Sequence, residues 1–279
     1  MSYKIAIDSC GELLPEWKSD PHITSVPLTL TVDGEDIIDD EKFDQAYFIR
    51  KMAECPDPPR SACPSPEKYY REFITGEDHI YAVTLSAELS GSYNSAMLGM
   101  SMAREEDPQR KIYVFNSRSA SIGETLIGMK IQELEEKGLS FEEVIEQVET
   151  YIDSQITYFV LESLENLRKN GRLSRMKAFV ASALKIKPVM QSTPEGNICQ
   201  IDQARGTNKA LVKMAEHIEQ NTKNSETRIL AISHCNCPER AGMLRDTLVE
   251  RLHPRRVVLL DTAGVSTLYA DNGGIIVVI

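Results

Sequence analysis

The sequence predicts an α/β protein of two units, a parallel α/β/α layer over residues 1–157 and a mixed-sheet α/β unit over residues 158–279, with a ligand between them. Three observations carry this. Short apolar runs, Lys4–Ile7 (KIAI), Ile80–Leu85 (IYAVTL) and Lys111–Phe115 (KIYVF), alternate with helical patterns, which is the order of a buried parallel sheet covered by helices. Each run leads through a polar loop into a helix. In the second half the extended runs Ile186–Gln191 and Asn197–Ala204 flank Thr193-Pro194-Glu195-Gly196, a hairpin signal that makes part of that sheet antiparallel.

The remaining elements follow in order. Ile23–Val32 contains VPLTLTV, a β-branched extended stretch. Cys55–Pro66 holds five prolines and reads as an extended loop without regular structure. Ser65-Pro66-Glu67 supplies a cap, a first-turn proline and a carboxylate at the positive end of a helix. Ser140-Phe141-Glu142-Glu143 has the spacing of a capping box before the stripe Val144, Val148, Ile152. Ile156–Leu161 reads as a strand and Glu162–Lys169 as a short helix that Asn170-Gly171 stops. A helix over Lys177–Leu184 precedes the hairpin. Helices over Asn208–Gln220 and Pro238–Leu252 then alternate with strands Arg228–Ser233, Arg256–Leu260 and Gly274–Ile279.

The 42 acidic and 31 basic residues leave a net charge of −11, which argues against a general nucleic-acid binder and against adhesion to anionic lipid. No run approaches the roughly 20 apolar residues needed to span a bilayer, and the first residues lack the pattern of a signal peptide. The six cysteines are too scattered for a disulfide scaffold. The expectation is a cytoplasmic protein with reduced thiols.

The richest loop is Leu85–Ser95 (LSAELSGSYNS), between a strand and a helix. Unpaired N–H groups at a helix start, with the hydroxyls of Ser90 and Ser92 and the bare backbone of Gly91, make a cradle for a carboxylate or phosphate. Ordinary helix capping explains the same serines. Ser61 adds a hydroxyl in the proline-rich loop, where solvated polarity is the plainer reading. The loop Asn116–Gly123 also follows a strand and is a candidate to line the same crevice, with capping as its plainer reading. His234-Cys235-Asn236-Cys237 lacks a second ligand cluster at zinc spacing, so no metal is expected. A hydrolase would need a base and an acid beside its serine, and no Gly-x-Ser-x-Gly elbow is present. Nucleotide-binding glycine motifs are absent as well. Arg168, Lys169, Arg172, Arg175 and Lys177 form a basic cluster in an acidic chain, either a solvated face or a docking patch for an acidic partner.

Together these segments resemble the DegV family, whose characterised members are the lipid-carrying (FakB-type) subunits of bacterial fatty acid kinase. Asp8-Ser9 matches the opening Asp-Ser of that family and Pro27-Leu28 its "PL" strand. Leu89–Ala96 (LSGSYNSA) matches "LSGTYQSA", Leu164–Arg172 (LENLRKNGR) matches "LxxLxKGGR", and Lys185–Val189 matches its "hKP" stretch. The resemblance runs end to end. It implies two α/β domains enclosing a long-chain fatty acid in an apolar tunnel, no enzymatic activity of the chain itself, and no cofactor. It places Ser61, Ser90 and Gly91 on the carboxylate. A separate ATP-binding kinase subunit would phosphorylate that carboxylate, with Arg172 and Arg175 as candidate docking residues. Two segments depart from the family. Its "TSQPS" reads Ser61-Ala62-Cys63-Pro64-Ser65 here. Its "HxGPG" reads Tyr269–Gly273, with Tyr269 at the histidine position as a hydrogen-bonding substitute and Asp271 as a group that would repel a carboxylate.

Burying about 14 methylenes at about 0.8 kcal/mol each gives about 11 kcal/mol gross. Ordering and association costs cut that to micromolar or tighter binding. The carboxylate then needs about two or three hydrogen bonds so that it does not oppose burial. Met97, Met100, Met102, Met176 and Met190 are candidates for an adaptable tunnel lining, against ordinary core packing. Two other classes remain open: a serine-dependent acyl-ester hydrolase and a small-anion binder.

Overall fold

A computed structural model of the chain describes residues 2–173 and 185–279. In chain order the elements are β1 (Tyr3–Asp8), β2 (Ile23–Val26), β3 (Thr29–Val32), β4 (Glu35–Ile38), α1 (Gln45–Glu54), β5 (Arg60–Ala62), α2 (Pro66–Phe73) and β6 (His79–Thr84). They continue with α3 (Ser92–Glu106), β7 (Ile112–Asn116), α4 (Ile122–Glu136), α5 (Phe141–Ser154), β8 (Thr157–Val160) and α6 (Glu165–Lys169). The chain ends with β9 (Ile186–Ser192), β10 (Ile198–Arg205), α7 (Thr207–Asn221), β11 (Ile229–His234), α8 (Pro238–Leu252), β12 (Arg256–Asp261), α9 (Gly264–Ala270) and β13 (Ile275–Val278).

The class is α/β, as expected, with one parallel and one mixed sheet. The parallel sheet has the order β2-β1-β6-β7. Every residue of β6 is buried, which is why its sequence reads as a continuous apolar run and not as an alternation. The mixed sheet has the order β10-β9-β8-β13-β11-β12. Its β9-β10 pair is the antiparallel hairpin read from the sequence, with a bulge between Gln200 and Asp202. The capping box at Ser140 is formed in full. Gly171 takes φ +78°, and the Arg172 N–H returns to the Leu167 carbonyl at 2.8 Å, so the short α6 stops where expected. All six cysteines are free thiols.

Some expectations change. Ile23–Val32 is two strands in two sheets, because Pro27 has no N–H to continue a ladder. The next N–H, of Leu28, donates to Ser9 Oγ at 3.0 Å. The proline-rich loop contains β5, which pairs with β3 and sets Ser61 opposite Leu30. A small three-stranded sheet, β4-β3-β5, results. Its β3-β4 turn is Asp33-Gly34, both at positive φ, the standard chemistry of a two-residue hairpin. The helix read from Glu162 begins at Glu165, since the Glu162 carboxylate is held by Lys187 and Arg240, each at 2.7 Å. The expected helix Lys177–Leu184 lies outside the described residues, as do Arg175 and Met176.

Helix α4 lies between the two sheets. Its Ile122, Leu126, Ile127 and Ile131 pack in one core with Ile5, Ile7 and Val83 of the parallel sheet and with Ala231, Val258 and Val278 of the mixed one. The carboxyl ends of β1, β6 and β7 therefore open toward the second sheet. In open α/β sheets this edge is where ligands bind. Among the described residues, no helix is long and apolar enough to cross a membrane.

Candidate functional site

The loops after β1, β6 and β7 face α9, β8 and the β9-β10 turn across a cavity of about 820 Å³, mouth included. Most of the wall is apolar, with Leu28, Leu85, Leu89, Phe159, Leu161, Leu167, Ile198, Val265 and Ile276. Asp, Glu and His are absent from the lining among the described residues.

Polar side chains occur on several parts of the wall, and one set of them is linked by direct contacts. Ser90, Ser61, Tyr269 and Arg172 all line the cavity. Strand β5 presents Ser61 and helix α9 presents Tyr269, and their hydroxyls meet at 2.9 Å. Two hydroxyls in contact share one hydrogen, so a proton remains to donate to a ligand. Burial pushes the Tyr269 phenol up from its ordinary range, and Ser61 offsets part of that. Ser90 Oγ accepts the Ser92 N–H at 3.2 Å at the start of α3 and lies 3.1 Å from Ser92 Oγ. Ser90 thus braces the start of α3 from one residue before its Gly91 N-cap and also faces the cavity. Ser92 is fully buried behind it.

Arg172 sits on the cavity wall with its guanidinium 5.7 Å from the Tyr269 ring centroid. Among the described residues its hydrogen bonds go to the carbonyls of Leu89 at 3.2 Å and Asn170 at 2.5 Å. Carbonyl oxygens orient a guanidinium without cancelling its charge. Asn170 also donates to the Pro59 carbonyl at 3.0 Å, tying this turn to the strand that carries Ser61. Within the basic cluster, Arg168 pairs with Glu165 at 2.7 Å, while Arg172 turns inward.

Gly91 is exposed and is not part of the wall; a side chain there would meet Cys63 Sγ at 3.1 Å. Asp271 is not part of the wall either. It ends α9 at φ +59°, and its carboxylate accepts the Asn272 N–H at 2.8 Å. For the methionines the plainer reading, core packing, is the one the structure shows. Met97 and Met100 pack between the parallel sheet and its outer helices, and Met190 lies in a separate core. Neither these nor Met102 lines the cavity. The loop read as capping lines the site instead, through Arg118, Ser119, Ala120 and Ser121. Ser121 precedes α4 without capping it, because its hydroxyl donates to Glu12 at 2.8 Å. His234 pairs with Asp261 at 3.3 Å, and Cys235 is buried in a core; this run forms no metal cluster among the described residues.

Sequence reasoning missed the β9-β10 turn as a wall. Gly196 holds φ +90°, and its carbonyl accepts the Ser86 hydroxyl at 2.8 Å. A Cβ there would lie 2.3 Å from Ser86 Oγ and 2.8 Å from the Arg118 Cα. Gly196→Ala is therefore expected to cost about 2–4 kcal/mol, combining overpacking with positive φ. Chemical denaturation reads the loss, and unchanged stability would show that the turn lifts off freely.

Comparison with known proteins fits this geometry. The profile of the DegV family, described as uncharacterised proteins, matches residues 2–279. A DegV domain-containing protein of Streptococcus gordonii is 32% identical over 99% of this chain and 98% of its own. A solved DegV family protein of Ruminococcus gnavus ATCC 29149, refined with vaccenic acid, is 51% identical with a TM-score of 0.97, over 100% of this chain and 99% of its own. The Fatty Acid Kinase (Fak) B3 protein of Streptococcus pneumoniae, loaded with linoleic acid, is 30% identical with a TM-score of 0.90, again over 100% and 99%. With the family profile spanning nearly its whole length, this chain belongs to the DegV family.

Proposed function

We propose that this protein binds one long-chain fatty acid between its two units, residues 1–157 and 158–279, and holds it without reacting with it. The observation that carries this reading is a cavity with a mostly apolar wall on which the hydroxyls of Ser61, Ser90 and Tyr269 share the lining with the Arg172 guanidinium, while the other cation of the wall, Arg118, is paired with Asp153. An alkyl chain gains about 0.8 kcal/mol per methylene in such a space. The carboxylate is met by Ser61, Ser90 and Tyr269, with the Arg172 charge nearby. Charge-assisted hydrogen bonds of this kind offset the desolvation of a carboxylate.

The hydrolase reading lacks its parts. Ser90 pairs with Ser92, and none of the five histidines lines the cavity. The small-anion reading leaves the long apolar wall without purpose. Presentation of the bound acid to a separate ATP-binding kinase subunit completes the proposal. Fatty acids in the related Ruminococcus gnavus and Streptococcus pneumoniae structures support the binding of a fatty acid.

Native mass spectrometry followed by lipid extraction should find a long-chain acid bound one to one. Protein that carries no lipid and takes up none when it is added would overturn the reading. Ser90→Ala should weaken binding by about 1–3 kcal/mol, or roughly 5- to 150-fold. Affinity should also climb steeply with acyl-chain length, and a flat dependence would favour a small-anion site.

A further inference from the structure

Behind the cavity wall lies a cluster that fatty-acid binding does not use. Asp8, Glu12, Asp39 and Glu124 are each at most 3% exposed, and no lysine, arginine or histidine side chain is among the groups that most affect their ionisation. Asp39 is satisfied by two backbone N–H groups and a serine. Asp8 accepts the N–H groups of Cys10 at 3.0 Å and Leu85 at 2.9 Å. Glu12 has Ser121 on one oxygen and no hydrogen-bond partner on the other. Glu124 is fully buried in the first turn of α4, and neither of its oxygens is reached by a backbone N–H or hydroxyl donor; the groups beside it are the Asp8 carboxyl and the Cys10 thiol. It faces Asp8 and Cys10: one ligand atom from each of the three lies within 4.8 Å of the others.

We propose that Asp8, Cys10 and Glu124 form a binding site for a borderline divalent cation of the Zn²⁺ or Co²⁺ type. Two buried carboxylates carry the charge that one dication cancels, and a buried carboxylate without partners is costly otherwise. The thiol adds a soft donor, which suits these ions and disfavours Mg²⁺ and Ca²⁺. The donors sit on rigid elements, the turn that ends β1 and the first turn of α4. Their supporting contacts already point the right way. The backbone amides of Cys10 and Leu85 orient the Asp8 carboxylate, and the Ser121 N–H is directed at Cys10 Sγ at 3.4 Å, toward sulfur as an acceptor. Cys10 and Ser121 both reach the cavity wall, which gives an ion a route inward.

Cobalt titration of the chelator-washed full-length protein tests this. A near-ultraviolet thiolate-to-cobalt band should grow to one equivalent per chain, and Zn²⁺ should abolish it by displacement. Native mass spectrometry should show the matching single-ion mass. Glu124→Gln and Cys10→Ser should each weaken binding about tenfold or more, with circular dichroism confirming the fold. Glu124→Gln keeps the test valid if Cys10→Ser does not fold. Absence of both band and mass shift in wild type overturns the proposal and leaves a proton shared between Asp8 and Glu124 as the neutralising device. A signal that survives both substitutions, or that is lost only in Cys237→Ser, overturns it as well.

Discussion

Ala120→Trp is expected to abolish fatty-acid binding while leaving the fold intact. Ala120 lies on the cavity wall, in the loop between β7 and α4, and is only partly buried. An indole there occupies space that the alkyl chain would take. Excluding about five methylenes at about 0.8 kcal/mol each removes about 4 kcal/mol, close to 1,000-fold in affinity. Displacement of a fluorescent fatty acid reads the loss, and circular dichroism verifies the structure. Wild-type affinity in the folded variant would mean that the acyl chain lies somewhere else.

The second large effect centres on Asp39. Its carboxylate accepts the Gly264 and Val265 N–H groups at 2.7 and 2.9 Å and the Ser9 hydroxyl at 2.9 Å, tying the loop after β1 to the start of α9. Asp39→Ala leaves these buried donors without an acceptor, at about 1–3 kcal/mol for each orphaned group. A total loss of about 3–5 kcal/mol is expected near pH 5. Because α9 carries Val265, Ser266 and Tyr269 of the cavity wall, lipid affinity should fall too.

The pH dependence has a definite sign. Burial raises the Asp39 carboxyl from 3.8 to about 6, outweighing its hydrogen bonds. The folded state thus holds a proton that the unfolded state has lost. The associated stability is fully present below about pH 4 and is lost as pH rises through 6. A shift of about two units corresponds to about 3 kcal/mol. The Asp39→Ala penalty should therefore be smaller at pH 8 than at pH 5, and Asp39→Asn should flatten that part of the stability profile. A penalty that grows with pH would contradict the assignment, and urea melts at the two pH values decide it.

The strands and long helices were legible because burial on both faces leaves an unbroken apolar run, as in β6, and because capping chemistry is local, as at Ser140. The hydroxyls at Ser61 and Ser90 were legible as candidates, since each stands in a loop rich in donors. What brings them together was not. Ser61 reaches Tyr269 because β5 pairs with β3, and three residues between prolines are too few to announce a strand. Arg172 read as surface charge because sequence shows a cation but not its direction; the turn at Gly171 folds it over Tyr269. Nothing in the sequence around Glu12 and Glu124 marks them as buried acids. Only the docking of α4 beneath the second sheet removes them from water.

That shared helix also bears on how the molecule comes apart. With one buried face of α4 belonging to each sheet, neither half can shed the other without laying bare aliphatic surface on both. Heating should therefore give a single sharp melting step, and a chain severed near residue 157 should yield pieces that clump instead of behaving as autonomous modules.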